Sequence, residues 1–313
     1  MRMGIGVRSL FTFVLSLAGI AIAAPIPPAT TTQLRFVAFN IRYFGSGGSG
    51  RGTSADEKRD ATVRDFIAKN VLPADVISFE EITDVPRLRK VLPKGWDCVS
   101  YDEEDLEHQH VVLCASPKFD WRREPTDDNW TWESLVIPGG KLRPAVHAIL
   151  TETRTNRELV RVVGLHLKAF PDKSDVRLKQ MTLLATELRR VRNLRLPTVI
   201  LGDLNTYPAP QNTLKKDDEI LIEEVLDQNF AFSRVPNVEM TFRSPTLRGR
   251  YDQIYFSNNL RMVDEPSVYP LCGRPEGATG TGYMNPAYYY EKVSDHCPLA
   301  ITLGLGAGSR YVR

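Results

Sequence analysis

Six short apolar runs in this chain each carry a carboxylate, an amide or an imidazole in or beside them. Asn40 lies within LRFVAFNIRYF, Glu81 closes ADVISFEEI, and His166 interrupts LVRVVGLHLKAF. Asp203 and Asn205 follow TVIL, Asp252 begins DQIYF, and Ser294-Asp295-His296 precedes CPLAITL. The runs are rich in β-branched and aromatic residues, the composition of buried strands. Burying a charge is costly unless it is paired or bound to a metal. One such residue alone is ordinarily a satisfied structural group, and a lone strand histidine is more often that than catalytic. Six together are a constraint on the fold. If the strands pack side by side, the polar groups converge at one end of the sheets, as a metal and phosphate site requires. Asp203 and Asn205 would face the same phosphate, because strand side chains repeat every two residues.

Helical patterns separate the strands. After the Gly/Ser loop Gly45–Ser54, the run DEKRDATVRDFIAKNVL places Val63, Phe66, Ile67 and Val71 on one helical face. Leu178, Met181, Leu184, Ala185, Leu188 and Val191 recur at helical spacing within Asp175–Leu194, and Glu219–Gln228 forms a further helix. Trp96 to Leu113 reads as a hairpin, Trp121, Trp130 and Trp132 mark a long irregular loop, and LRPAVHAILTET pairs with Leu159–Phe170 as antiparallel strands. Hydrophobic content of 42% and charged content of 25% are ordinary for a globular chain. The mixture predicts one α+β domain with sheets packed between helices.

The first residues differ in kind. Arg2 and Arg8 form a basic n-region, Leu10 to Ile22 carries no charge, and Ala21-Ile22-Ala23 is a small-residue cleavage site. This pattern predicts a secretory signal peptide over 1–23, then a Pro/Thr-rich linker over 24–33, a domain over 34–305 and a tail over 306–313. The apolar run is shorter than the roughly 20 residues a membrane span needs, so no stable insertion is expected after cleavage. The expected location is secreted or periplasmic. Losing Arg2 and Arg8 leaves 38 basic against 38 acidic residues, so overall charge gives no nucleic-acid signal. A nucleic-acid partner needs a local basic face, for which Arg243, Arg248 and Arg250, or Lys141 and Arg143, are candidates. Export permits disulfides. Cys98 and Cys114 sit on neighbouring strand-like runs, leaving Cys272 and Cys297 as a second pair; four buried thiols are the alternative.

Taken in order, FVAFNIR, DVISFEEI, VGLHLKA, ILGDLN, RYDQIYF and VSDHCPLAI resemble the motifs of the endonuclease/exonuclease/phosphatase superfamily, the deoxyribonuclease I-like enzymes. The resemblance runs from about Leu34 to about Leu303. It implies a four-layered α/β/β/α sandwich of two mixed, mainly antiparallel sheets flanked by helices. It also implies cleavage of phosphate esters with a divalent cation, usually Mg2+, with Mn2+ or Ca2+ as substitutes. By the same resemblance Asn40 and Glu81 lie on the metal side, Glu81 being the principal ligand and Asp295 the second metal carboxylate. His296 is the catalytic histidine, oriented by Asp252. Asp203 and Asn205 contact the attacking water and the scissile phosphate, His166 binds a phosphate oxygen, and Arg143 contacts phosphate.

These residue types suit the chemistry independently of family. A hard cation with oxygen ligands offsets the charge that makes a phosphodiester resist hydroxide, and magnesium needs few protein carboxylates because it keeps its waters. Asp203 or His296 would serve as general base. His166 and Asn205 would donate to charge that grows on the phosphoryl oxygens. Two features depart from the family. Glu80 stands before Glu81 where Gln is common, and reads as a supporting residue or a second metal carboxylate. The run Glu107-His108-Gln109-His110 stands where an acidic partner for the His166 position is expected, and His110 reads as an exposed strand residue. The expectation is a secreted nuclease with little sequence preference, monomeric and acting on nucleic acid. The alternative is a sphingomyelinase-like or other phosphoesterase on lipid or inositol phosphates, with YMNPAYYY as an aromatic membrane-facing hairpin. A non-catalytic binding module on this fold is disfavoured by the full set of polar residues.

Overall fold

In the computed structural model the described residues are 32–45, 53–101, 109–137, 142–191, 195–208, 216–236, 239–275 and 277–306. The chain divides into two compact units, Met1–Thr30 and Thr31–Arg313, and every element below belongs to the second. The expected signal peptide, most of the linker and nearly all of the tail lie outside the described residues, as do Glu107, His108 and Lys141.

The elements in chain order begin with β1 (Gln33–Phe44), α1 (Thr53–Phe66), β2 (Val76–Ile82), α2 (Val85–Val91), β3 (Asp97–Val99) and β4 (His110–Ala115). There follow β5 (Phe119–Arg122), β6 (Thr131–Trp132), β7 (Ala145–Glu152), β8 (Arg157–His166), α3 (Ser174–Arg190) and β9 (Thr198–Asp203). Next come α4 (Asp218–Phe230), β10 (Phe232–Arg234), β11 (Phe242–Arg243), β12 (Arg248–Gly249) and β13 (Asp252–Ser257). The chain closes with β14 (Leu260–Met262), β15 (Ser267–Val268), α5 (Pro286–Lys292) and β16 (Leu299–Leu305).

Two seven-stranded sheets form a four-layered α/β/β/α sandwich. The first runs β14-β16-β1-β2-β4-β3 with β15 beside β16, and the second runs β10-β13-β9-β8-β7-β5 with β6 beside β7. Each is mixed: among the described residues only β1–β2 in the first and β8–β9 in the second pair in parallel. Inside the sandwich β1 and β2 face β9, and β4 faces β7 and β8. Outside, Val63 and Phe66 of α1 and Leu88 of α2 share the core of the first sheet, with Phe39 and Phe66 rings 5.7 Å apart. Met181, Leu184 and Leu188 of α3 cover Val163, Leu165 and Ile200 of the second. The helical spacing in the sequence marks that buried stripe correctly.

Three local readings change. Rather than an irregular loop, the Trp segment contains β5 and β6, and Trp132 is buried with its ring stacked 4.2 Å from His147. The strand LVRVVGLHLKAF stops at His166 and leaves the sheet. YMNPAYYY is not a projecting hairpin: Asn285 caps α5, Tyr289 is buried, and Tyr283 and Tyr289 meet Phe66 edge-on.

Both cysteine pairs are disulfides, Cys98–Cys114 between directly opposed residues of β3 and β4, and Cys272–Cys297 beside the last strand. The links close loops of 16 and 25 residues. Loop-closure entropy makes each worth about 3 kcal/mol. Urea unfolding with and without reductant is expected to show that loss, with Cys98→Ser/Cys114→Ser reproducing one half of it.

Candidate active site

Register builds the floor of the site. In the second sheet His166 pairs in register with Asp203 across β8 and β9, and Asp252 pairs with Asp203 across β13 and β9. Three polar side chains therefore stand in one row on adjacent strands about 4.8 Å apart. The Oδ2 atom of Asp203 is where the row closes. Asn40 Nδ2 donates to it at 2.9 Å, His166 Nε2 lies 3.5 Å away and His296 Nε2 3.7 Å away. Its Oδ1 accepts from the Asn205 backbone N–H at 2.9 Å, and Asn205 Nδ2 donates to the Leu167 carbonyl at 3.1 Å. His296 Nδ1 is 2.8 Å from Asp252 Oδ2, so Asp252 sets the ring's orientation and leaves Nε2 facing Asp203.

The first sheet delivers its share through strained backbone. In a regular strand Glu80 and Glu81 would point to opposite faces. Glu80 does point inward, fully buried, its carboxyl accepting from Ser78 Oγ. Glu81 sits at φ +59°, and the register slips between Phe79 and Ile82. This bulge turns the second carboxylate toward the site. Across the pairing, Arg42 and Tyr43 also have positive φ (31° and 47°). Such residues persist only where surroundings over-determine them. Here Arg59 of α1 does so, donating to the carbonyls of Ile41, Arg42, Tyr43 and Val293 at 2.7–3.1 Å. The Glu81 carboxylate receives Asn40 Nδ2 at 3.2 Å, Tyr43 N at 3.3 Å and Gln109 Nε2 at 3.1 Å.

Gln109 is a residue the sequence reading missed as a site component. Its side-chain oxygen takes Arg143 Nη2, so it bridges the guanidinium to Glu81. Arg143 lies close enough to Glu81 and His166 to act on both electrostatically. His110, next in line, is buried rather than exposed: Ile82 O lies 3.0 Å from its Nδ1 and Tyr101 packs on its ring. Asp295 is paired with Arg42 at 3.5 Å, and Arg42 also lies over the Tyr290 ring at 3.9 Å. Two of the three expected basic residues are engaged elsewhere. Arg243 donates to the carbonyls of Leu271, Arg274 and Pro275, and Arg250 lies 3.4 Å from Glu219.

Burial dominates the charge states. It pushes Asp203 up to about 7, with Asp252 and Glu81 adding to the rise while His296 and the Asn40 hydrogen bond oppose it. Burial also raises Glu81, helped by Asp295, and holds Glu80 well above the usual carboxylate range. It pushes His166 well down, reinforced by Arg143 and His296, so this imidazole is neutral. For His296 burial acts downward too, but Asp252, Asp203 and Asp295 outweigh it and keep the ring protonated.

Glu81, His166 and Asp203 each offer a ligand atom within 4.8 Å of the others. The half-buried Glu81 and the buried Asp203, both raised chiefly by loss of solvent, offer oxygen ligands that fit a hard divalent ion. Asn40 presents its NH2 to both carboxylates and is a donor to them in this arrangement. Asp295 belongs to the electrostatic surroundings of Glu81 but its own pairing is with Arg42. Glu80 lies outside the ligand cluster, across from Gly202 on β9.

A family model described as the Endonuclease/Exonuclease/phosphatase family matches residues 37–296, most of the chain. Solved structures agree on the fold. An endonuclease/exonuclease/phosphatase from Bacteroides vulgatus is 18% identical, with TM-score 0.59, covering 88% of this chain and 99% of its own. The mannosyl-6-phosphatase Bt3783 of Bacteroides thetaiotaomicron is 16% identical, with TM-score 0.57, covering 86% and 99%. The human Nocturnin catalytic domain with bound sulfate is 15% identical, with TM-score 0.55, covering 87% and 94%. No curated protein sequence matches the chain.

Two outcomes are expected. Gly202 has φ +137°, and a Cβ there would lie 2.1 Å from Leu165 O and 2.8 Å from Glu80 Oε1. Gly202→Ala is expected to destabilise by about 2–4 kcal/mol, read by urea unfolding. A divalent ion must displace the Asp203 proton, which is held up to pH about 7. Ion affinity should therefore rise about tenfold per unit from pH 5 to 7 and level off above, read as the ion-induced melting shift.

Proposed function

We propose that this chain, which belongs to the endonuclease/exonuclease/phosphatase family, is a secreted or periplasmic divalent-metal-dependent nuclease that cuts nucleic acid with little sequence preference. Members of this family are phosphoester hydrolases, typically dependent on a divalent metal. The observation that carries the reading is the convergence on Asp203 Oδ2, where a water nucleophile would meet a base, a protonated imidazole and amide donors at once.

In this reading Glu81 and Asp203 would hold the cation, Mg2+ by preference, which would offset phosphate charge and steady the leaving oxygen. Asp203, deprotonated once the ion is bound, would take the proton from the attacking water. His296, doubly protonated and anchored on Asp252, donates from Nε2 to a phosphoryl oxygen and holds the proton a leaving oxygen needs. The neutral His166 and the Asn205 amide, fixed by Leu167 O, line the same point. Arg143, steadied by Gln109, supplies a guanidinium for a non-bridging phosphate oxygen.

Nucleic acid is favoured over lipid substrates because YMNPAYYY is folded onto α1 and leaves no projecting aromatic hairpin. The N-terminal pattern supports export. Supercoiled plasmid nicked by the chain from Ala24 onward with Mg2+, but not with chelator, is the expected result. His296→Ala should lower the rate by about a thousandfold or more while the protein stays folded. No nicking by folded, metal-loaded protein, with turnover of sphingomyelin or inositol phosphates instead, would move the reading to lipid substrates.

A further inference from the structure

The loop that leaves β8 after His166 ends in an aromatic side chain that packing does not explain. Phe170 is 60% exposed, more than any other described aromatic. Its backbone stands at φ +84°, ψ 138°, a region that favours glycine. A solvent-facing phenyl ring on strained backbone contributes nothing to folding that glycine would not supply better. Strain of this kind points to a function when the surroundings enforce it.

They do enforce it. Arg177 of α3, 1% exposed, donates from Nη1 to the carbonyls of Phe170 at 2.7 Å and Lys168 at 2.8 Å. Its other nitrogens hold Asp218 at 3.0 and 2.6 Å, and Asp218 in turn accepts from the Tyr207 backbone N–H at 3.0 Å. The near end of the loop is fixed to the site, since Leu167 N–H donates to Asp203 O and Leu167 O accepts from Asn205. Thus the Phe170 backbone is held at the end of an arm rooted beside Asp203 and Asn205. Four residues from His166 reach at most about 14 Å, the range of a nucleotide adjoining the one that is cut. Lys168 Nζ lies 5.8 Å from the Phe170 ring centroid, placing a cation beside the ring face.

We propose that Phe170 is a stacking platform for a nucleobase next to the cleaved phosphodiester, with Lys168 meeting the phosphate of that nucleotide. The proposal rests on the nuclease reading and narrows it to substrates with an unpaired or splayed base. Base–aromatic stacking tolerates any base, because every base has a π face, so it adds affinity without sequence preference.

The test is a cycle between protein and substrate. The substrate is a short oligonucleotide, in deoxyribose and ribose versions, with one phosphodiester among methylphosphonate linkages. Each version is made with all bases present and with either base flanking the phosphodiester removed. Phe170→Ala and Phe170→Gly are expected to raise KM about tenfold on the intact strand with little change in kcat. The effect should vanish when one of the two flanking bases is absent, and Phe170→Trp should keep the wild-type KM. Phe170→Gly should melt at or above the wild-type temperature, because it relieves the backbone. Unchanged KM for Phe170→Ala on the intact strand would overturn the platform. So would equal losses on intact and base-free strands, or a lower melting temperature with reduced kcat in Phe170→Gly. If wild type nicks plasmid but cuts none of these strands, the platform fails; if it nicks no plasmid either, the nuclease reading fails and takes the platform with it.

Discussion

Everything at the polar end of this sandwich is arranged around one oxygen. Asp203 Oδ2 lies within 2.9–3.7 Å of an amide nitrogen and two imidazole nitrogens that arrive on three different strands or loops. A carboxylate so buried is costly on its own. It is tolerable because His296, charged and anchored by Asp252, offsets it, and because Asp203 holds its proton up to near neutrality. An ion that displaced this proton would find the oxygens of Asp203 and Glu81 within reach of one another, and a phosphate could follow it.

Backbone strain is the second theme. Among the described non-glycine residues with positive φ, Arg42, Tyr43, Glu81, Asn205 and Phe170 all surround this end of the sheets. Each sheet braces its strained segment with a buried arginine from its own helical layer. Arg59 of α1 ties the end of β1 to Val293, and Arg177 of α3 ties the loop after β8 to Asp218 and Tyr207. The Cys272–Cys297 disulfide and the Ser294 hydroxyl, which donates to Asn40 O and accepts from His296 N–H, fasten the segment between them. Helix, loop and disulfide thus hold side chains that ordinary strand geometry would misdirect.

The sandwich itself leaves the substrate open, because a fold hosts many chemistries and only the site selects among them. Its structural relatives at 15–18% identity include a mannosyl-6-phosphatase and Nocturnin. Around the floor of the site stand Gln109 between Glu81 and Arg143, Arg42 on Tyr290, and the projecting Phe170. Arg243, attractive in sequence as a phosphate contact, is instead spent on three carbonyls of the loop around Cys272.

The sequence alone determined the central strands that carry the site, the long helix α3 and the row of polar residues, because two-residue and 3.6-residue periodicities are local and survive in a string of letters. It also paired Cys98 with Cys114 as the favoured link, since an antiparallel hairpin opposes neighbours in sequence. Only the tertiary structure decided how those residues act. Glu81 faces the site through a bulge, and burial between the sheets holds the Glu80 carboxyl well above the usual carboxylate range. Asp295 belongs with Arg42, His110 is buried, and Gln109 joins the site. Each of these depends on register slips, positive φ values and partners 28 to 250 or so residues away, such as the 253 between Arg42 and Asp295. No local pattern encodes such contacts, because they arise from where the sheets meet.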